Sequence, residues 1–224
     1  LSLAPLLRPH RQRPLQQPWA PATADVVREQ HNAGMSVINC PSCGSEVPHH
    51  LRYAKLVTCP SCQVALFLED DAVTHAGERS ALAQDPSIFE LGQPFSHNAV
   101  TYVPHGRVRF DSGTGYWDEW WVESDQGEGC WISVDEGDIA IEQPLSLNSA
   151  APAYDALQVG GTLSVGEQSL KVTERNEAVC IGFEGELPEV ISAGESHRYV
   201  HLSGPRGLLL TIEYSDDEAA VFKG

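Results

Sequence analysis

The sequence predicts a mostly β protein: a small cysteine-built ribbon followed by two tandem antiparallel β-barrel-like repeats. Three observations point there. The 224 residues hold 19 glycines and 15 prolines with a single methionine, and few stretches have the length and period of an amphipathic helix. Two C-x2-C pairs lie close together near the N-terminus, and beyond them the chain matches its own pattern at an offset of 68 residues. A hydrophobic content of 42% is that of an ordinary globular protein, so a real core is within reach.

Five segments follow. Residues 1–34 hold five prolines and no apolar period, so they cannot bury a core; they read as a disordered or mis-started extension, the only methionine being Met35. Residues 35–68 form the ribbon and residues 69–87 a linker, in which 78–84 (ERSALAQ) fits a short helical turn. Residues 88–148 and 149–224 are the first and second β-units.

Cys40 and Cys43 form one pair and Cys59 and Cys62 the other, with 15 residues between. That is the spacing of a four-cysteine zinc ribbon, in which each pair binds from a tight turn and two turns complete a tetrahedron. Pro41 and Pro60 preset the turns, Gly44 supplies positive φ at the first exit, and Gln63 stands where the second would ideally have glycine. Four sulfurs fill the shell, which makes Zn2+ a structural ion with no open position. Iron is the competing metal and a redox dithiol the minor alternative. His49 and His50 read as exposed loop residues. Cys130 and Cys180, in the runs CWISV and AVCIGF, read as buried free thiols.

The first β-unit reads as a meander: strands at 99–110 and 116–123 around DSGTG, then 130–134 and 139–142 around DEGD. The second has strands at 162–165, from 169 towards 183, at 198–202 and at 208–214. At the offset of 68, Leu91 and Gly92 meet Val159 and Gly160, Phe95 meets Leu163, Tyr102 meets Leu170, and Arg107 meets Arg175. Further on, Trp131 meets Tyr199 and Ile141 meets Leu209.

The stretches Tyr116-Trp117-Asp118-Glu119-Trp120, Gly129-Cys130-Trp131, Thr173 to Ala178, Gly185-Glu186-Leu187-Pro188 and Gly194-Glu195 before Tyr199 resemble the bacterial family called domain of unknown function 4178, as does the preceding CPxCG ribbon. The resemblance runs from Met35 to Gly224, with Asn176 where glycine is common. It implies an all-β repeat fold on a zinc ribbon and supplies no reaction. It further implies a role in a membrane-stress-type assembly, because members are often encoded beside such proteins.

The net charge of −17 is unevenly placed: the first 68 residues carry about +3 and the rest about −20. A field of that sign repels phosphate backbones and suits a protein partner with a basic surface. No apolar run approaches the ~18 residues of a membrane span, and a cytoplasmic protein is expected. The sequence has no phosphate-cradling glycine loop, no HExxH and no GxSxG. The expected function is therefore a non-enzymatic protein-interaction or scaffold module. Its candidate binding residues are Trp117, Glu119, Trp120, Trp121 and Trp131; the tryptophans read as plugs of the barrel and of the seam between copies, or alternatively as an aromatic binding patch rimmed by acids. Two alternatives stand beside it. One is an enzyme with an acidic and histidine pocket in the second unit, where some of Glu174, Glu184, Glu186, Glu195 and His197 converge. The other is nucleic-acid contact through the ribbon's Arg52 and Lys55.

Overall fold

A computed structural model of the chain describes residues 20–21, 36–69, 72–80, 82, 87–147, 149–215 and 219–224. Of the N-terminal extension this includes only β1 (Ala20–Pro21), which pairs with β7 (Phe95–His97). The described residues contain strands and short 3-10 turns and no α-helix.

In the ribbon, β2 (Ser36–Asn39) pairs with β3 (Glu46–His49), and β4 (Leu56–Thr58) with β5 (Val64–Glu69). Each C-x2-C pair is the turn joining two of these strands. β5 also pairs with β6 (Ala72–Arg79), so the first half of the expected linker is a strand. The expected helical turn over 78–84 begins with the last two residues of β6, and residues 81, 83 and 84 lie outside the described ones.

The acidic part is built from two four-stranded meanders. The first runs β8 (Val100–Asp111), β9 (Tyr116–Ser124), β10 (Gly129–Asp135) and β11 (Asp138–Pro144). The second runs β13 (Gln168–Leu187), β14 (Ser196–Ser203), β15 (Leu209–Tyr214) and β16 (Ala219–Lys223). Two further pairings, β8 with β13 and β11 with β16, join the meanders edge to edge in a barrel-like ring of eight strands. Closure removes the exposed edges that each meander would have alone.

Both meanders open alike. β7 folds onto β8 with Phe95 opposite Tyr102, and β12 (Thr162–Val165) folds onto β13 with Leu163 opposite Leu170. Gly92 N–H donates to the Pro104 carbonyl at 2.8 Å, and Gly160 N–H to the Val172 carbonyl at 2.9 Å. A register shift then follows in each, between Pro104 and Gly106 and between Val172 and Glu174. Past this point the offset of 68 fails. Trp131 lies on β10, third in its meander, while Tyr199 lies on β14, second in its own, because β13 and the turn after it are longer than β8 and DSGTG.

The 20-residue β13 ties the molecule together. Its far end pairs with β4, Glu186 opposite Val57 and Leu187 opposite Leu56, so the ribbon is docked on the ring instead of tethered by a loose linker. One core cluster accordingly mixes Leu56 and Ala65 of the ribbon with Val108, Phe110, Phe183 and Leu187 of the ring. Ser80, just after β6, donates to the Phe183 carbonyl at 2.9 Å and accepts from the Phe183 N–H at 2.7 Å.

At the junction β8 and β13 approach too closely for a side chain. A Cβ on Gly106 would sit 2.2 Å from the Glu186 carbonyl oxygen. Gly106→Ala is therefore expected to destabilise by about 1–3 kcal/mol, through forced backbone separation. Urea denaturation checks this; an unchanged midpoint would mean the strands can part freely.

Candidate functional site

The four cysteines converge. Their sulfurs all lie within 4.8 Å of one another, close enough to hold a metal ion. Cys40 Sγ is 3.7 Å from Cys62 Sγ, and Cys43 Sγ is 3.7 Å from Cys59 Sγ. A tetrahedron with metal–sulfur bonds of about 2.3 Å has edges of about 3.8 Å, so the spacing fits four thiolates on one ion.

The two turns are built alike. Gly44 N–H donates to the Cys40 carbonyl and Gln63 N–H to the Cys59 carbonyl, both at 2.8 Å. Gly44 has φ 76° and Gln63 φ 61°, so the residue in the glycine position does adopt the left-handed backbone, at a cost of about 1–2 kcal/mol. Ser80 N–H holds the Gln63 carbonyl at 2.8 Å, which ties this turn to the end of β6. The Ser45 hydroxyl and N–H lower the Cys43 thiol to about 6, towards the thiolate a metal needs.

His49 corrects the sequence reading: it is 1% exposed on β3, and among the described residues neither ring nitrogen has a hydrogen-bond partner. The alternation of β3 turns Val47 and His49 inward together. His50 is half-buried. Its N–H and that of Leu51 both donate to the Glu186 carboxylate, the shorter bonds being 2.8 Å each. Glu186 is thus the ring's grip on the ribbon, a structural carboxylate 7% exposed. Arg52 and Lys55 are exposed.

The aromatic stretch does not form a surface patch. Strand alternation sends Trp117, Glu119 and Trp121 one way and Tyr116, Asp118 and Trp120 the other; the first three are half-buried, Asp118 and Trp120 are buried, and Tyr116 is exposed. Trp120 is 1% exposed, in a cluster with Phe89, Phe95, Val122 and Ile132, so it offers nothing to a partner. Trp121 lies between Tyr53 of the ribbon and Trp131, at ring distances of 6.3 and 5.2 Å. Trp117 donates its indole N–H to Glu119 at 2.9 Å, and packs against Phe110 and Tyr199.

Glu119 and Trp131 meet again on the wall of a cavity of about 300 Å³. Each of the eight ring strands contributes a lining residue, from Phe110 on β8 to Phe222 on β16, which places this cavity inside the ring. Glu142 and Glu213 also line it, and Glu189 and Glu195 come from the turn between β13 and β14. Burial, and then the neighbouring Glu142, raise the Glu119 carboxyl to about 8 against the Trp117 N–H that lowers it. Burial, then Glu119, Glu142 and Glu189, push Glu213 well above its ordinary value. His197, packed edge-on against Phe110 at 4.6 Å, is lowered by burial.

A carboxyl raised in the folded state stabilises below its unfolded value near 4.5 and loses that stability as pH climbs through about 8. Glu119→Gln is therefore expected to gain on the parent between pH 5 and 9, by at most about 1.4 kcal/mol per pH unit. Denaturation midpoints at several pH values check this; parallel curves for the two proteins would refute it.

Some residues of the enzyme alternative meet in pairs, at two different places. Glu174 accepts from Tyr199 Oη at 2.7 Å and lies 3.3 Å from His201 Nδ1. Glu184 and Glu186 border a separate cleft of about 460 Å³ between ribbon and ring, and Glu195 and His197 line the inner cavity. His197 and His201 do share a face, both against Tyr199. Cys180 is buried and Cys130 half-buried; both are free, and burial raises each thiol to about 11.

One arrangement escaped sequence reading. Asp118, 7% exposed, accepts from Arg107 Nη2 at 2.7 Å and from Arg109 Nε at 2.8 Å, and Arg107 also reaches Glu184 at 3.3 Å. The signal was present: folding RVRF against YWDEW about DSGTG puts Arg109 directly opposite Asp118.

No curated protein and no solved structure matches the chain. No helix among the described residues is long and apolar enough to cross a membrane. Residues 90–224, which span the two meanders and their ring, match the family described as a domain of unknown function (DUF4178), and the chain belongs to that family.

Proposed function

We propose that the chain is a non-enzymatic recognition module in which a zinc-bound ribbon braces an acidic ring, and that the ring holds a basic segment of a partner protein. The observation that carries this reading is the cavity within the ring, walled by aromatic side chains and carboxylates that come from different strands. Such a wall suits holding a cation, because carboxylates and aromatic faces both attract positive charge. Zinc is the ion that four thiolates at these distances suit best, and four sulfurs leave it no position for a substrate. The shared opening of the two meanders supports reading them as copies of one unit.

The test is affinity capture with the full chain from native cells, identification of the partner, and reconstitution from purified components. Direct binding that weakens as salt rises, and weakens again in Trp131→Ala, is the expected result. Binding indifferent to both, or turnover of a small molecule by the purified chain, would overturn the proposal. Elemental analysis of the same preparation distinguishes zinc from iron.

A further inference from the structure

We infer that the outer edge of β12 is a seat for an extended segment of a partner protein, which adds there as one more strand. This surface is separate from the cavity within the ring. The first meander shows the equivalent seat filled. β7 and β12 are the matching flanking strands, each folded onto its meander through a two-residue loop, and Ser96 and Ser164 hold the same place in the two. On β7 the outer edge is taken by β1, with Ala20 opposite Ser96 and Pro21 opposite Phe95. Among the described residues β12 pairs with β13 alone.

Hairpin geometry identifies the backbone groups left over. A two-residue loop closes on a hydrogen-bonded pair, and such pairs alternate with pairs whose N–H and C=O groups point away. In the first hairpin His97 and Val100 close the loop, so Ser96 turns its backbone groups outward, where Ala20 stands. Pro21, which has no N–H, falls at the next position, where the alternation asks for no donor towards β7. In the second hairpin Val165 and Gln168 close the loop, so Thr162 and Ser164 turn outward. Val172 N–H donates to the Gly161 carbonyl at 2.9 Å, which continues the same alternation. Among the described residues no hydrogen bond meets the outward groups of Thr162 or Ser164.

Sheet edges that stay single carry devices against pairing, such as charges, prolines or bulges. β6, at the far end of the large sheet, ends in Glu78 and Arg79. β12 reads TLSV, with neither charge nor proline. Its surroundings are also less covered than those of β7. Leu163 is half-buried where its counterpart Phe95 is buried, and Val159 is exposed where its counterpart Leu91 is half-buried. Leu163 and Val165 pack on the core cluster of the second meander, so an added strand would extend that core on one face and lie beside Thr162 and Ser164 on the other. The fitting occupant is an extended, uncharged segment with apolar side chains at alternate positions. The strand that this chain itself adds is engaged on β7, which leaves β12 to another protein.

The test adds a synthetic peptide of residues 16–25, which contain the strand seated on β7, to the full chain and follows backbone amide signals. Those of Thr162 and Ser164 should shift, and their hydrogen exchange should slow by about tenfold or more; a peptide N-methylated at Ala20, which lacks the donor, should do neither. Ser164→Pro should abolish the response and leave the thermal transition unchanged, because that N–H faces away from β13. Leu163→Pro, whose N–H faces β13, should lower the transition. The reconstituted partner should bind Ser164→Pro about tenfold or more weakly than the parent. Slow exchange at Thr162 and Ser164 in the chain alone, equal binding of the N-methylated peptide, or shifts confined to Ser96 overturn the inference. A dimer that Ser164→Pro dissolves overturns the choice of a partner protein in favour of a second copy. Partner binding that needs Trp131 but not Ser164 overturns this inference and leaves the cavity reading standing.

Discussion

Asp118→Ala is expected to lower stability by about 3–5 kcal/mol, the cost of breaking a buried ionic pair by removing one partner. Asp118 is the anion between two guanidiniums that are each 4% exposed. Without it Arg109 loses the carboxylate that meets both its Nε and its Nη2, at 2.8 and 3.0 Å. Arg109 also stands over the face of Tyr116, 4.3 Å away. Arg107 keeps Glu184 at 3.3 Å, but that carboxylate is more exposed and shields it less. The damage should exceed that of Asp118→Asn, which keeps an acceptor for one arginine. Replacing the pair together, Asp118→Leu with Arg109→Met, should recover much of the loss, because two apolar side chains need no compensation. Urea denaturation of the three variants decides it; a single alanine variant within about 0.5 kcal/mol of the parent would show that water already reaches the network.

That network shows what a sequence can and cannot disclose. The hairpin about DSGTG was legible from its turn residues, and strand alternation separated Trp117, Glu119 and Trp121 from Asp118 and Trp120. What alternation could not say is which face meets solvent. In a ring to which both a ribbon and short flanking strands are added, both faces are partly covered, so an apparent surface patch became core on one side and cavity wall on the other. The cysteine spacing was readable because a metal dictates the distance between its ligands. The docking of the ribbon was not, because it depends on β4 adding to the far end of β13 and on Glu186 capping two N–H groups more than 130 residues earlier in the chain. Closure of the ring was equally hidden: the edge pairings join β8 to β13 and β11 to β16, and no local pattern specifies either. Along the internal match the two meanders share a turn and a bulge, and they part where β13 lengthens to reach the ribbon.

This docking makes a metal held by the four cysteines matter beyond its own turns. A ribbon of about thirty residues is too small to hold its fold without a staple, so stripping the ion is expected to unfold it. The disturbance should then cross into the ring by two routes. Glu186 would lose the N–H groups of His50 and Leu51, leaving its carboxylate beside β13 without those donors. Trp121, which packs against the ribbon's core and touches Trp131 on its other side, would lose Tyr53. Chelation should accordingly lower the thermal transition of the whole chain, change tryptophan fluorescence, and weaken the proposed partner binding at the cavity, although no described wall residue of that cavity belongs to the ribbon. Cys59→Ser should reproduce all three effects without chelator, because it removes a buried ligand. Restoring the ion should reverse chelation but leave the serine variant impaired. A ring that melts and binds as before once the metal is gone would mean the ribbon merely rests on it, and that β4 and Glu186 contribute nothing to the shape of the cavity.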